Sequence, residues 1–180
     1  MKLPGRRLLN LVGFLACAGL IAYALYAEYV LLLMPCPLCV FQRMAMIALG
    51  LVFLVAALHN PAGWGKRVYT GGILLAAGAG ISVAGRHFWL QHLPADQVPT
   101  CGPGFDYIID SFPLADALKM IFTGSGECAD IDWLFLGLTM PGWLLIVFVT
   151  LGACGIWNNL RSRNRGSGAA PTGGSIETVS

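Results

Sequence analysis

Cys36 and Cys39, two cysteines separated by two residues, have the spacing of a redox-active dithiol. Cysteines placed this way can close a small strained ring that exchanges readily with other thiols. Pro37 restricts the backbone between them, and Arg43 follows within one turn if a helix begins near Val40. A helix N-terminus and a fixed positive charge both favour the thiolate, which is the attacking species. The motif predicts thiol–disulfide chemistry, although a structural bridge or half of a zinc site stays open.

Four more cysteines accompany this pair. Cys101 and Cys128 lie in Gly-rich, turn-prone segments of a long connecting stretch, where a bridge between them would stabilise the fold by about 3 to 4 kcal/mol. That bridge is either structural or a second centre that exchanges with the first pair. Cys17 and Cys154 lie inside apolar runs, where a buried and inert thiol is the expected state.

The elements that must position these sulfurs are membrane helices. The chain has 180 residues, of which 57% are hydrophobic and 11% charged, and its mean hydropathy is +0.71. Such a composition is typical of an integral membrane protein. We predict an all-α fold, one four-helix bundle over residues 1–160, with a flexible basic tail at 161–180. The predicted spans are 8–27, 40–58, 68–88 and 141–160, and the loops that carry the four candidate cysteines are 28–39 and 89–140.

Charge predicts how this bundle is oriented. Most basic residues fall at the N-terminus, in the short loop after the second span, or after the fourth span: Lys2, Arg6, Arg7, Lys66, Arg67, Arg161, Arg163 and Arg165. In a four-span topology these segments share one side, which the positive-inside rule assigns to the cytoplasm. The first span resembles a secretory signal, but its apolar run is longer than a usual signal core, so we expect it to be retained. Both cysteine loops then face the oxidising side of the membrane.

Two further patterns concern packing. Residues 112–122 place Leu114, Leu118, Ile121 and Phe122 on one helical face, which predicts a short amphipathic helix. It would lie at the membrane interface or pack over the bundle. In the third span, small residues recur every four positions and predict close helix packing: Gly72, Ala76, Gly80 and Ala84.

The sequence has no Gly-rich dinucleotide loop, paired transmembrane histidines for haem or iron–sulfur motif. A lipid-soluble quinone is an electron acceptor that requires none of these. It would approach Cys39 from the bilayer, where Arg43 could donate to a carbonyl oxygen. Arg86 and His87 could line the same region, or serve as an interfacial anchor and a structural histidine.

Together these motifs resemble the DsbB family of bacterial inner-membrane disulfide bond formation proteins. The resemblance covers residues 8–160 and rests on Cys36-Pro37-Leu38-Cys39 with Phe41-Gln42-Arg43, on Cys101 and Cys128, and on the segment 133–143. It implies a four-helix bundle that reoxidises the periplasmic dithiol oxidase DsbA. The electrons would pass to ubiquinone, or to menaquinone without oxygen.

The resemblance also implies roles for single residues. Cys101 would form the mixed disulfide with DsbA, and Cys128 would be its bridge partner and then exchange with Cys36. Cys39 would be the thiolate that interacts with the quinone, with Arg43 supporting it. His87 looks like the family's histidine near the quinone, and no residue is assigned to a metal.

Other classes of protein give competing interpretations. A vitamin K epoxide reductase-like enzyme also combines four helices, a Cys-x-x-Cys pair and a quinone, but its active pair is expected late in the chain. A non-enzymatic membrane protein would use the cysteines as structural bridges or zinc ligands. Zinc is disfavoured because Cys101 and Cys128 lack the spacing of a second pair. A transporter is least supported, because the helices lack an inward-facing ionisable path.

Overall fold

A computed structural model describes residues 5–33, 35–60, 63–94, 96–98, 110–113, 115–116, 128–129, 131 and 134–161. Its long helices are α1 (Arg6–Tyr29), α2 (Pro37–His59), α3 (Gly65–Leu90) and α4 (Met140–Leu160). Each of the four is long and apolar enough to cross a membrane. The predicted all-α membrane bundle is confirmed, and every predicted apolar run lies within one of these helices.

The second helix starts earlier than the sequence pattern indicated. The predicted apolar span begins at residue 40, whereas α2 already begins at Pro37. Proline is well suited to the first helical position, where its fixed φ matches the helix and its missing N–H would have no helical partner. Cys36 is the N-cap, and its sulfur accepts a hydrogen bond from the backbone N–H of Cys39 at 3.4 Å. The whole Cys-x-x-Cys motif therefore forms the first turn of α2.

The helices pack in chain order. Extensive contacts join α1 to α2, α2 to α3 and α3 to α4, whereas α1 and α4 touch much less. One end of the bundle, called here the cysteine end, holds the end of α1, the start of α2, the end of α3 and the start of α4. The opposite end holds the start of α1 and the end of α4. The Cys-x-x-Cys turn thus lies where three neighbouring helices converge.

Small residues let large aromatic rings fill the middle of the bundle. Phe53 and Phe148 are both buried there. A Cβ atom added at Gly80 would lie 2.5 Å from ring atoms of Phe148, and one at Gly155 would lie 2.7 Å from Phe53. These distances are shorter than real Cβ contacts, so the helices come this close only because the residues are glycines. The predicted close packing of the third span is confirmed at Gly80.

Buried amides join α1 to α4 at the opposite end. Asn10 of α1 and Asn158 and Asn159 of α4, called here the amide cluster, are each no more than 2% exposed. The Asn10 side-chain oxygen accepts hydrogen bonds from Asn158 at 3.0 Å and from Asn159 at 3.2 Å. Because α1 and α4 have few other contacts, the amide cluster closes the bundle at this end.

A short hairpin precedes α4 at the cysteine end. Strand β1 (Leu134–Phe135) pairs antiparallel with β2 (Leu138–Thr139) through a two-residue turn. Both turn residues have positive φ, 52° at Leu136 and 77° at Gly137, as a tight hairpin turn requires. The hairpin was not predicted from the sequence. The predicted amphipathic helix at 112–122 lies largely outside the described residues.

Candidate functional site

The two sulfurs of the Cys-x-x-Cys turn lie close together at the N-terminus of α2. Cys36 Sγ and Cys39 Sγ are 2.9 Å apart. A disulfide has its sulfurs about 2.05 Å apart, so small side-chain rotations would close the bond. Both residues are partly buried. The N-terminal end of a helix stabilises negative charge, and this end of α2 carries both sulfurs. The turn can therefore alternate between dithiol and disulfide without moving the helix.

His87, near the end of α3, faces this pair. Its Nε2 lies 3.8 Å from Cys36 Sγ, and its Nδ1 lies 4.0 Å from Cys39 Sγ. The imidazole is 3% exposed, so it meets the sulfurs in a site largely closed to water. The sequence proposed His87 for the same region as Cys39, and the structure brings the two together. Its role toward a quinone stays a prediction.

Gln42 holds the histidine from the side of α2. Its Nε2 lies 3.2 Å from His87 Nδ1, and the side chain is only 2% exposed. When the amide N–H donates, Nδ1 is the acceptor and the ring proton is on Nε2, the nitrogen that faces Cys36; when the amide oxygen accepts, the ring proton is on Nδ1. Gln42 belongs to the motif that follows the cysteine pair, but the sequence predicted no role for it. Its position three residues after Cys39, on the same helical face, was the available signal.

Cys128 brings a third sulfur to the site. It is fully buried and packs with Leu38, Val83 and Leu90. Cys36 packs against the same cluster, beside Cys128. This contact, then the one with Cys39, and then burial raise the pKa of the Cys36 thiol well above its usual range. Cys36 therefore lies between two sulfur partners. Cys101 lies outside the described residues, so its pairing with Cys128 stays a prediction.

Arg43 lies beside this site but turns toward α1. Its guanidinium forms an ion pair with Glu28 and donates to the backbone oxygen of Ala24 at 3.3 Å. The Arg43 and Glu28 side chains are 22% and 24% exposed, respectively. These contacts place Arg43 against α1, and its predicted role toward a quinone stays a prediction. Glu28 was not predicted from the sequence as its partner.

The remaining candidates lie at the edge of the site or away from it. The Arg86 guanidinium stacks on the Trp89 ring, 4.5 Å from its centroid. Cys17 packs in the central core of the bundle, as expected, whereas Cys154 is exposed on α4, so the expectation that it is buried is wrong. Three side chains of the site could bind a metal ion together, because one donor atom from each lies within 4.8 Å of the others: Cys36, Cys39 and His87.

Comparisons with known proteins agree with this geometry. A family model described as "Disulfide bond formation protein DsbB" matches residues 6–158. Among curated relatives, one from Nitrosococcus oceani is 53% identical over 146 residues, covering 81% of this chain and 86% of the relative. One from Saccharophagus degradans is 51% identical over 160 residues, covering 89% and 96%. Both are named "Disulfide bond formation protein B". The chain therefore belongs to the DsbB family.

Proposed function

We propose that this protein reoxidises a DsbA-like thiol oxidase and passes two electrons to a membrane quinone, ubiquinone or, without oxygen, menaquinone. The observation that carries the proposal is the Cys36–Cys39 pair, whose sulfurs lie 2.9 Å apart at one end of a membrane bundle. Family membership supports disulfide chemistry for this pair. The net reaction converts a partner dithiol and a quinone into a partner disulfide and a quinol.

The proposed electron route passes through four exchanges. A partner thiolate attacks a Cys101–Cys128 disulfide, and a second partner thiolate then resolves the mixed disulfide at Cys101. The released Cys128 thiolate attacks Cys36, which breaks the Cys36–Cys39 disulfide and leaves Cys39 as a thiolate. Cys101 then displaces Cys36 from Cys128, which restores the first disulfide. The packing of Cys36 against the cluster that holds Cys128 supports the third exchange.

The residues around Cys39 fit a quinone as the electron acceptor. A bound quinone accepts two electrons and two protons. Arginine has five N–H donors, so the contacts of Arg43 with Glu28 and Ala24 leave other donors for a carbonyl oxygen. His87 holds a ring N–H beside the sulfurs. In this proposal Arg43 and His87 orient the quinone, and the helix N-terminus stabilises the Cys39 thiolate.

We further propose that the cysteine end faces the periplasm and that both termini are cytoplasmic. Within the described residues, the opposite end holds five basic side chains: Arg6, Arg7, Lys66, Arg67 and Arg161. The cysteine end holds Arg43 and Arg86, of which Arg43 is paired with Glu28. This distribution follows the positive-inside rule for a protein of the bacterial inner membrane.

The competing functions are less well supported. The family match favours DsbB over a vitamin K epoxide reductase-like enzyme, as does the position of the cysteine pair at the start of the second helix. Purely structural bridges do not account for a third cysteine, Cys128, in the cluster against which Cys36 packs beside Cys39.

The test follows the electrons from the reduced protein to the quinone. The purified protein, reduced and freed of reductant, is mixed anaerobically with a short-chain ubiquinone, and quinone absorbance is recorded. Cys101→Ser should still reduce the quinone, whereas Cys39→Ser should not. Cys154→Ala, which removes an exposed cysteine of α4, is the matched control and should react like the unsubstituted protein. Full quinone reduction by Cys39→Ser would refute the proposal.

A further inference from the structure

The sulfurs and imidazole of the site have nearly the arrangement of a tetrahedral metal site. Zinc binds sulfur at about 2.3 Å and imidazole nitrogen at about 2.0–2.1 Å, so its ligand atoms lie roughly 3.5–3.8 Å apart. Cys36 Sγ lies 3.8 Å from His87 Nε2, whereas the 4.0 Å distance from Cys39 Sγ is to the other ring nitrogen, Nδ1. One donor atom from each of the three residues lies within 4.8 Å of the others. The sulfurs, at 2.9 Å, need to separate by roughly 0.9 Å to reach tetrahedral spacing. Rotation about the cysteine side chains is enough for that.

A fourth donor and a supporting residue lie beside these three donor atoms. Cys128 is fully buried in the cluster against which Cys36 packs, but it is not one of the three residues whose donor atoms lie within 4.8 Å of one another, so its sulfur must move closer to bind the ion. Gln42 lies 3.2 Å from His87 Nδ1, which leaves Nε2 directed toward the sulfurs. For Nε2 to bind a metal, the ring proton must lie on Nδ1, and the Gln42 amide oxygen can accept it once the amide turns over. Histidine ligands in proteins are usually held by such a hydrogen bond.

We propose that the reduced protein binds one Zn²⁺ or a similar soft divalent cation through Cys36, Cys39, His87 and Cys128. Each of the three thiols loses one proton on binding, no electron is transferred, and neutral His87 contributes a nitrogen lone pair. Oxidation of Cys36 and Cys39 to the disulfide removes two ligands and releases the ion. The site therefore exists only in the reduced state.

The sequence disfavoured zinc because Cys101 and Cys128 lack the spacing of a second cysteine pair. Spacing along the chain cannot show that α3 contributes His87, 48 residues after Cys39. The binding itself needs neither quinone nor partner. The consequence rests on the proposed function: a sulfur that binds the ion cannot transfer electrons, so Zn²⁺ should inhibit the reduced enzyme reversibly.

The experiment uses Co²⁺ as a spectroscopic substitute for Zn²⁺. The full chain in detergent is reduced, freed of reductant and titrated anaerobically with Co²⁺, then with Zn²⁺. We expect one Co²⁺ per chain, with the sulfur charge-transfer and tetrahedral visible bands of thiolate coordination, and displacement by one Zn²⁺. The same protein in its oxidised form is the control that requires no substitution, and it should show neither band.

Variants identify the ligands. Cys36→Ser and His87→Gln should each abolish the tetrahedral spectrum, and Gln42→Leu should weaken binding about 10- to 100-fold. A double variant, Cys17→Ala with Cys154→Ala, should bind like the unsubstituted protein. Substoichiometric binding by reduced protein, or a tetrahedral spectrum that survives Cys36→Ser, would overturn the proposal. If Cys128→Ser left the spectrum unchanged, Cys128 would be excluded as the fourth ligand. None of these results would affect the quinone reaction, which is measured without metal.

Discussion

Gly80 is the position where one added methyl group should weaken the bundle most clearly. It lies where α3 crosses the Phe148 ring of α4, and a Cβ there would lie 2.5 Å from ring atoms. Phe148 is fully buried in the central core of the bundle. Gly78, on the same helix, has no heavy atom within 4 Å of a Cβ built on it. Alanine substitutions at Gly80 and Gly78 therefore differ mainly in whether the added methyl group collides with an aromatic ring.

The size of the effect follows from that difference. Both substitutions gain the same helix propensity, at most about 1 kcal/mol, so this gain cancels when the variants are compared. Overpacking of a filled core costs about 1–3 kcal/mol. For a chain of this length, 1 kcal/mol corresponds to about 2–4 °C in Tm. Gly80→Ala should thus melt roughly 2–12 °C below Gly78→Ala.

Thermal unfolding in detergent, followed by tryptophan fluorescence, measures the difference. A second substitution, Phe148→Leu, should restore part of the loss in Gly80→Ala, because it removes the ring that the methyl group meets. His87 lies two turns after Gly80 on α3, so a displaced helix should also slow quinone reduction. Equal melting temperatures for Gly80→Ala and Gly78→Ala would refute the close-packing argument.

Other predictions concern contacts that the sequence did not reveal. Glu28→Gln removes the charged partner of Arg43 and should raise the apparent quinone KM about 5- to 30-fold in steady-state assays, with kcat less affected. An unchanged KM would mean that this ion pair does not contribute to quinone binding. Gln42→Leu leaves His87 Nδ1 without its partner and should slow single-turnover quinone reduction about 5- to 10-fold, whereas Gln42→Glu should retain more of the rate because it keeps a polar partner. Asn10→Leu breaks the amide cluster and should lower Tm by several degrees in the same melting assay; no decrease would mean that the amide cluster contributes no net stability.

The sequence predicted the parts of the fold that depend on local composition. Apolar runs long enough to span a bilayer predicted all four helices, because a membrane leaves few other structures for such segments. The spacing of Cys36 and Cys39 predicted their proximity, and the small-residue pattern predicted the close approach at Gly80. A proline at the first helical position could also have placed the start of α2 correctly.

Contacts between distant segments could not be predicted in this way. Gln42 and His87 are 45 residues apart, and Asn10 and Asn159 are 149 residues apart. A lone buried amide looks the same in the sequence whether it faces lipid, a helix or a ligand. Arg43 has a nearby partner in Glu28, but the direction of its side chain depends on how α1 packs against α2. These pairings require helix packing, which periodicity alone does not determine.

The most direct test of the central claim is the stoichiometry of one complete reaction. The purified protein is mixed anaerobically with a reduced DsbA-like partner and a short-chain ubiquinone, and quinone absorbance is followed together with partner thiols. We predict one quinone reduced per two partner thiols lost, and no reaction with Cys101→Ser. Loss of partner thiols without quinone reduction, or no change in either quantity, would contradict a route from the partner through Cys36 and Cys39 to a quinone.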